Sequence, residues 1–356
     1  MKLFLDNIVF ALQSAGGIST VWYELEQRAM ADKRLDLTIL DYPCSNIQRQ
    51  RLNIADSIRQ DCALRLQERY RQPLLEVGEP CVFHSSYFRV LPHPLVANVT
   101  TIHDLTYHIC RHGLPKKVHL QQEAHALQHS RAIVCISQST KNDLLRLYPS
   151  VREENVRVIY NGVSSVFHVC DDKNITRFES GSYLLFVGAR EAEYKNFSMA
   201  VEIARRLKMP LVMVGAPLKK QEHLLLQEEL GEGHYQSFSH ISNEQLNILY
   251  NHAFALLYPS AYEGFGLPIL EAQKANCVAV VQRVSSLPEV AGDGALIVPP
   301  SDSLRLADEM TDVLLQLRNG TIDAKALRLA GQANAKRFTW DNMYNQLYQL
   351  YHEISQ

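Results

Sequence analysis

At 356 residues the chain is long for a single core and suits two α/β domains of about 150–200 residues each. Hydrophobic content of 46% with 21% charged residues is ordinary for a globular protein, and a formal net charge of −2 gives no nucleic-acid footprint. No apolar run approaches the roughly 20 residues that span a bilayer, and the seven cysteines, odd in number with no CxxC, read as reduced cytosolic thiols.

Met1–Phe10 reads as a first strand, interrupted by Asp6 and Asn7 and without the small-residue cleavage site of a signal peptide. Gly16 and Gly17 follow, then a helical pattern from Thr20 to about Met30. Strand, double glycine and helix let backbone approach a ligand closely. The spacing is not GxGxxG, so a dinucleotide fingerprint is not supported, and a plain strand-to-helix turn is the competing explanation. Asp36–Leu40 reads as a second strand. Residues 48–72 read as helix-like, with Arg49, Arg51, Arg59, Arg65, Arg69 and Arg71 set against Asp56, Asp61 and Glu68. This is either a solvated helical face or a basic patch for anionic lipid or a lipid-diphosphate acceptor. Cys81–Ser85 and Asn98–His103 are further strands. His103 stands where ligands gather, outside the carboxyl end of a strand, although a lone histidine is more often structural. Asp104 either orients it or caps the next helix. His108 and His112 fit one helical face without a glutamate-centred zinc motif. A helix over Leu114–His129 and a strand over Ala132–Ile136 follow, with Ser137 or Ser139 as the next helix cap. The strand Val156–Tyr160 then ends at the Asn161-Gly162 turn.

The hydrophilic run Val169–Ser180 reads as a linker. Beyond it, Tyr183–Val187 is a strand and Phe197–Leu207 a helix, with Arg190 and Lys195 in the loop between them. Two such cations either neutralise a diphosphate leaving group or are ordinary surface charges. Pro210–Val214 is a strand, Gln221–Leu230 a polar helix, and Ser242 with Gln245 forms a capping box for the next helix. The most informative stretch runs from Ala255 to Glu271. An apolar strand ends at Tyr258, and Gly264, Phe265, Gly266 and Leu267 lead through Pro268 into a helix. A helix N-terminus entered through glycines is a natural seat for phosphate. Glu263 and Glu271, eight residues apart, bracket that seat. A carboxylate does not ligate phosphate but accepts hydrogen bonds from sugar hydroxyls, so the stretch reads as a nucleotide-sugar site. Cys277–Val281 and Ala295–Val298 are later strands, and Trp340–Ile354 is a terminal helix with Met343, Leu347, Leu350 and Tyr351 at helical spacing.

Glu263-x7-Glu271 within the string Pro259–Ala272 resembles the signature of retaining glycosyltransferases of family 4. Gly16-Gly17-Ile18, His103-Asp104, Asn161-Gly162-Val163, Gly188 with Arg190 and Lys195, and Ser285–Glu289 fit the same family in order. The resemblance implies an α/β GT-B fold: two Rossmann-like α/β/α domains facing a central cleft. Residues 1–165 would take the acceptor, with the helix 338–356 returning to them, and residues 166–337 the nucleotide sugar. It also implies residue roles. Gly16 and Gly17 lie against the donor diphosphate and acceptor, and His103 contacts the transferred sugar. Arg190 and Lys195 stabilise the leaving group, His240 and Ile241 flank the base, and Gly264–Leu267 hold phosphate. Glu271 takes the ribose and Glu263 the transferred hexose. The loop bearing Arg190 is a residue longer than the commonest form, Ser239 stands where glycine is usual, and Ala275–Ala279 lacks the usual glycine and proline. No cofactor or metal is implied, and no Asp-x-Asp is present to hold a metal-bound diphosphate. The expected donor is UDP-glucose or a related UDP-hexose, with GDP-mannose second. The expected acceptor is a saccharide or lipid-linked saccharide of a bacterial surface polysaccharide. The setting is cytoplasmic, compatible with weak association at the inner membrane face, and the oligomeric state is open. A nucleotide-sugar epimerase of the same fold, or a non-catalytic sugar-nucleotide-binding protein, are the alternatives.

Overall fold

The computed structural model describes residues 1–65, 67–110 and 113–356, so His112, paired above with His108, lies outside the described residues. Contacts divide the chain into two units, Met1–Gly162 with Thr339–Gln356, and Val163–Phe338.

In the first unit the strands are parallel, the interior ones short apolar runs that are largely buried, while the edge strand Arg59–Asp61 is polar and partly exposed. They are β1 (Lys2–Asp6), β2 (Asp36–Asp41), β3 (Arg59–Asp61), β4 (Cys81–Ser85), β5 (Val96–Ile102), β6 (Ala132–Cys135) and β7 (Val156–Val158). Their order is β3-β2-β1-β4-β5-β6-β7, which reverses direction between β1 and β4. The terminal helix Trp340–Ile354 belongs to this unit. It places Met343, Leu347, Leu350 and Tyr351 in the same core as Leu3, Leu5, Val21, Trp22 and Leu25. Each such side chain contributes about 1.5–3 kcal/mol on burial, so the helix is a structural member of the unit. Its polar anchor is Tyr351, whose Oη lies 2.6 Å from Nδ1 of His84, while Nε2 of His84 is 2.8 Å from Thr101 Oγ1. Burial pulls His84 down to about 3, which keeps this bridging imidazole neutral. Gly162 is required where the chain leaves the unit, because a Cβ there would come within 2.2 Å of Trp340 N.

Residues 48–72 do not form one helix. A short helix, Ile47–Arg51, is capped by Asn46, β3 forms the sheet edge, and a 3-10 turn covers Glu68–Tyr70. Four of the six arginines are taken up locally, while Arg51 and Arg71 are exposed. Arg49 pairs with Asp41, Arg59 with Asp56 and Asp61, and Arg65 with Glu68. Arg69 lies over the rings of Tyr70 and Tyr87. The stretch lacks an apolar repeat of 3.6 residues, so no helix longer than its capped first turn has a face to bury.

The second unit repeats the doubly wound plan with β8 (Leu184–Val187), β9 (Leu211–Val214), β10 (Tyr235–Phe238), β11 (Ala255–Tyr258), β12 (Val278–Gln282) and β13 (Ala295–Val298). These parallel strands run in the order β10-β9-β8-β11-β12-β13, with the reversal between β8 and β11. The capping box of Ser242 and Gln245 opens the helix Asn243–His252. The segment read as a linker is laid onto this unit. Asn247 Oδ1 accepts from His168 N and Asn251 Oδ1 from Cys170 N, each at 3.0 Å, and Arg177 donates to Tyr235 O. Side-chain amides satisfy its backbone, which needs no apolar periodicity and leaves none to read. No helix among the described residues is long and apolar enough to cross a membrane.

Candidate active site

Ligands of open parallel sheets bind outside the carboxyl ends of strands where the order reverses. In the second unit that place lies after β8 and β11. The two loops are tied together: Asn196 Nδ2 donates to Pro259 O at 2.9 Å and Ala261 N to Tyr194 O at 2.7 Å. This closure brings Lys195 Nζ to 2.6 Å from Glu263 Oε1 and 3.2 Å from Tyr258 Oη. The two charged side chains are 13% and 11% exposed, so the pair is partly desolvated yet still open to a ligand. The loop after β12 braces the arrangement. Gln282 Nε2 donates to Pro259 O and Ser260 O, Ser285 Oγ accepts from Glu263 N, and Ser286 Oγ lies 2.9 Å from Glu263 O and Phe265 O. Ser285 and Ser286, within the Ser285–Glu289 stretch that fits the family pattern, thus hold the loop of Glu263.

Gly264 and Phe265 lead to Gly266, the N-cap of the helix Leu267–Lys274, with Pro268 in its first turn. Gly266 has φ +108°, and a Cβ there would sit 3.1 Å from Ile269 Cδ1 and 3.3 Å from Leu287 Cδ2. Both conformation and space therefore call for glycine. Glu271 lies one turn into this helix. Tyr250 donates to its Oε2 at 2.9 Å, and burial raises the carboxyl to about 7 against the opposing effect of that hydrogen bond. Tyr258 stands between the two glutamates. Burial and the nearby carboxylate of Glu263 push its phenol far above the ordinary range, with a lesser contribution from Glu271.

Arg190 is not drawn to the Lys195–Glu263 pair. Its side chain is 1% exposed and paired with Glu222, Nε to Oε1 at 3.1 Å, while Nη2 donates to Ala216 O. Nη1 is buried without a protein partner, and a Cβ on Gly215 would lie 3.1 Å from it. His240 has φ +57° and, with Ser239, is exposed just beyond the carboxyl end of β10; Ile241 is half-buried there.

In the first unit, Gly16 caps the helix Gly17–Ala31, and its carbonyl accepts from Ser19 Oγ and Thr20 Oγ1. His103 follows β5 directly. Its Nε2 is buried with no partner, and burial holds the imidazole at about 4 while Asp104 pulls the other way. Asp104 does not orient it by a hydrogen bond; its Oδ1 accepts from Thr106 N at 2.9 Å and from Thr106 Oγ1, capping Thr106–Cys110. His108 and His119 are both drawn to the buried carboxylate of Glu123. Sequence reasoning missed the hydroxyls of Tyr250 and Tyr258 and the amide of Gln282. The spacing of Leu246, Leu249 and Tyr250 marks only an apolar helical face, and no local pattern announces a partner 21 residues away.

Two doubly wound parallel sheets in one chain are the plan of the GT-B fold, one that other two-domain α/β proteins share. Residues 15–166 match the family model described as Glycosyltransferase Family 4, and residues 171–328 match Glycosyl transferases group 1. The chain is 28% identical to O-antigen chain mannosyltransferase B of Escherichia coli over 296 residues, covering 76% of this chain and 74% of that one. It is 26% identical to O-antigen chain mannosyltransferase RfbU of Salmonella typhimurium, covering 64% of this chain and 65% of that protein. Among solved structures, sucrose-phosphate synthase of Thermosynechococcus elongatus superposes with a TM-score of 0.74 at 19% identity, covering 99% and 98% of the two chains. The chain belongs to glycosyltransferase family 4.

Proposed function

We propose that this glycosyltransferase moves a hexosyl group from a nucleoside diphosphate sugar to a saccharide hydroxyl, with retention at the anomeric carbon, in the synthesis of a bacterial surface polysaccharide. The observation that carries the reading is the Lys195–Glu263 pair at the reversal of the second sheet, beside a helix N-terminus entered through Gly264, Phe265 and Gly266. The bond from the anomeric carbon to the diphosphate oxygen breaks, and charge gathers on that oxygen. Lys195, the Leu267 end of the helix and the one unpaired donor of Arg190, Nη1, meet that charge. The acceptor hydroxyl bonds to the anomeric carbon on the same face and passes its proton to the leaving phosphate oxygen. Glu263 accepts from hydroxyls of the transferred sugar, Glu271 from the ribose, and His240 and Ile241 flank the base. Gly16 and Gly17 serve the diphosphate and acceptor, and His103, neutral at physiological pH, serves the sugar.

The mannosyltransferase names of the relatives move the preferred donor from UDP-glucose to GDP-mannose. Leaving-group charge is met by these cations and amides without a metal, and the acceptor class is a saccharide, free or lipid-linked. Thermal unfolding with UDP, GDP or ADP tests the reading. A nucleoside diphosphate at 100 times its Kd stabilises by about 2.7 kcal/mol, so one of the three should raise the midpoint. No shift with any of them overturns the donor site.

A further inference from the structure

Glu271 poses a physical question that its assignment to the ribose leaves open. It is a carboxylate pushed out of water, and among the described residues no lysine or arginine pairs with it. Burying an unpaired charge is costly, and a glutamine would meet a purely structural need more cheaply. Its hydrogen-bonding partner is a neutral phenol. Tyr250 is 0% exposed, on the helix Asn243–His252 that packs against the helix of Glu271. The ring cannot swing. Phe167 meets it edge-on at 6.0 Å, and the segment bearing Phe167 is fixed by Asn247 and Asn251, which flank Tyr250 on its own helix. A buried tyrosine needs an acceptor, and the same core shows what a structural one uses: Tyr183 donates to the backbone carbonyl of Leu249 at 2.7 Å. Tyr250 instead gives its proton to Oε2 of Glu271, and among the described residues no donor reaches Oε1.

We infer that Tyr250 is a positioning residue of the donor site, fixing Glu271 through Oε2 so that its carboxylate presents Oε1 and the free side of Oε2 to the vicinal hydroxyls of a nucleoside diphosphate's ribose. The inference rests on the reading of Glu271 as the ribose acceptor. Tyr250 does two things at once. It fixes the rotamer before the nucleotide arrives, and it favours the ionised carboxylate against burial, because it donates to the charged form. The other titratable groups acting on this pair are Tyr258 at the end of β11 and Cys277 ahead of β12. Burial raises both, the thiol to about 12, so neither carries charge near neutrality. Removing the phenol hydroxyl therefore leaves a carboxyl that protonates more readily and loses acceptor capacity.

The test is calorimetric titration of UDP and of GDP into wild type, Tyr250→Phe and Glu271→Gln at about pH 7 and about pH 9, where the diphosphate is fully ionised. Tyr250→Phe, which keeps the ring, should weaken the bound nucleotide by about tenfold at the lower pH and recover most of that loss at the higher pH. Its kcat with a nucleotide-sugar donor should stay within about threefold while KM rises. Glu271→Gln should be weak at both pH values. A Tyr250→Phe protein that binds like wild type at both pH values overturns the positioning role, and one weakened equally at both overturns the effect on ionisation, while Glu271→Gln still reports the ribose contact. Should Tyr250→Phe not fold, Glu271→Asp, too short to meet the phenol and the ribose together, must lose affinity like Glu271→Gln; wild-type affinity there overturns the inference. If Glu271→Gln itself binds like wild type, the underlying reading of the ribose site fails instead.

Discussion

Replacing Lys195 with alanine removes one charge from a pair whose separation is 2.6 Å and whose side chains are nearly buried. Two unit charges at about 4 Å interact by about 4 kcal/mol at an effective dielectric constant of 20. A leaving phosphate oxygen held near that distance by Lys195 would lose a stabilisation of this order as its bond breaks. Part of it is already present in the bound donor, so about 3 kcal/mol is the share specific to the transition state. That corresponds to a loss of about 100-fold in kcat. The change also leaves Glu263 without its cation. Because the site is open to water on one side, the cost in stability should stay near 1–2 kcal/mol rather than the 3–5 of a sealed pair. Release of nucleoside diphosphate from the donor gives kcat, and denaturant unfolding gives the stability cost. A kcat loss under tenfold, with the donor still bound, refutes the role of Lys195 at the leaving group.

Other consequences are open to simple measurements. Glu263→Gln should preserve nucleoside diphosphate affinity and lower turnover; equal loss in both would place Glu263 on the nucleotide instead. Tyr351→Phe strips His84 of a buried partner 2.6 Å away and should cost about 1–3 kcal/mol in urea unfolding. His103 is neutral when folded, held at about 4 against an ordinary value of 6.5. Its contribution to stability is therefore full above about pH 6.5 and lost as pH falls toward 4. Wild type should lose more stability than His103→Gln between pH 7 and pH 5, and equal losses would show that the imidazole is not held neutral. EDTA should leave donor turnover unchanged, and activity that disappears with it would require a metal at the diphosphate.

The sequence made the two-domain α/β plan legible because most buried strands are short apolar runs, and several lead through a loop into a helix. Phe197–Leu207 and Trp340–Ile354 carry both their boundaries and their buried faces in their own spacing. Residues 48–72 misled for a physical reason: arginines and carboxylates at mixed intervals resemble a solvated helix, while the structure pairs them across turns and a sheet edge. The segment Val169–Ser180 looked like a tether because its order comes from side-chain amides of Asn247 and Asn251, about 80 residues away. At the site, Lys195 and Glu263 were legible as charges placed in loops after strands. Their contact came only with the pairing of β8 and β11. Arg190 shows the converse. Its loop position suggested a second open cation, but Glu222, on a helix the motif does not include, takes its Nε and the carbonyl of Ala216 its Nη2. Tyr250 and Tyr258 read locally as apolar core, and only tertiary packing gives their hydroxyls to the two glutamates.

The most direct test of the whole account is the release of nucleoside diphosphate from GDP-mannose and from UDP-glucose by the purified wild-type chain without acceptor, beside Lys195→Ala. Slow release from one of the two donors by wild type, falling about 100-fold in the variant, is the expected result. No release from either donor, conversion of a donor to an epimer, or release that Lys195→Ala leaves intact would contradict it.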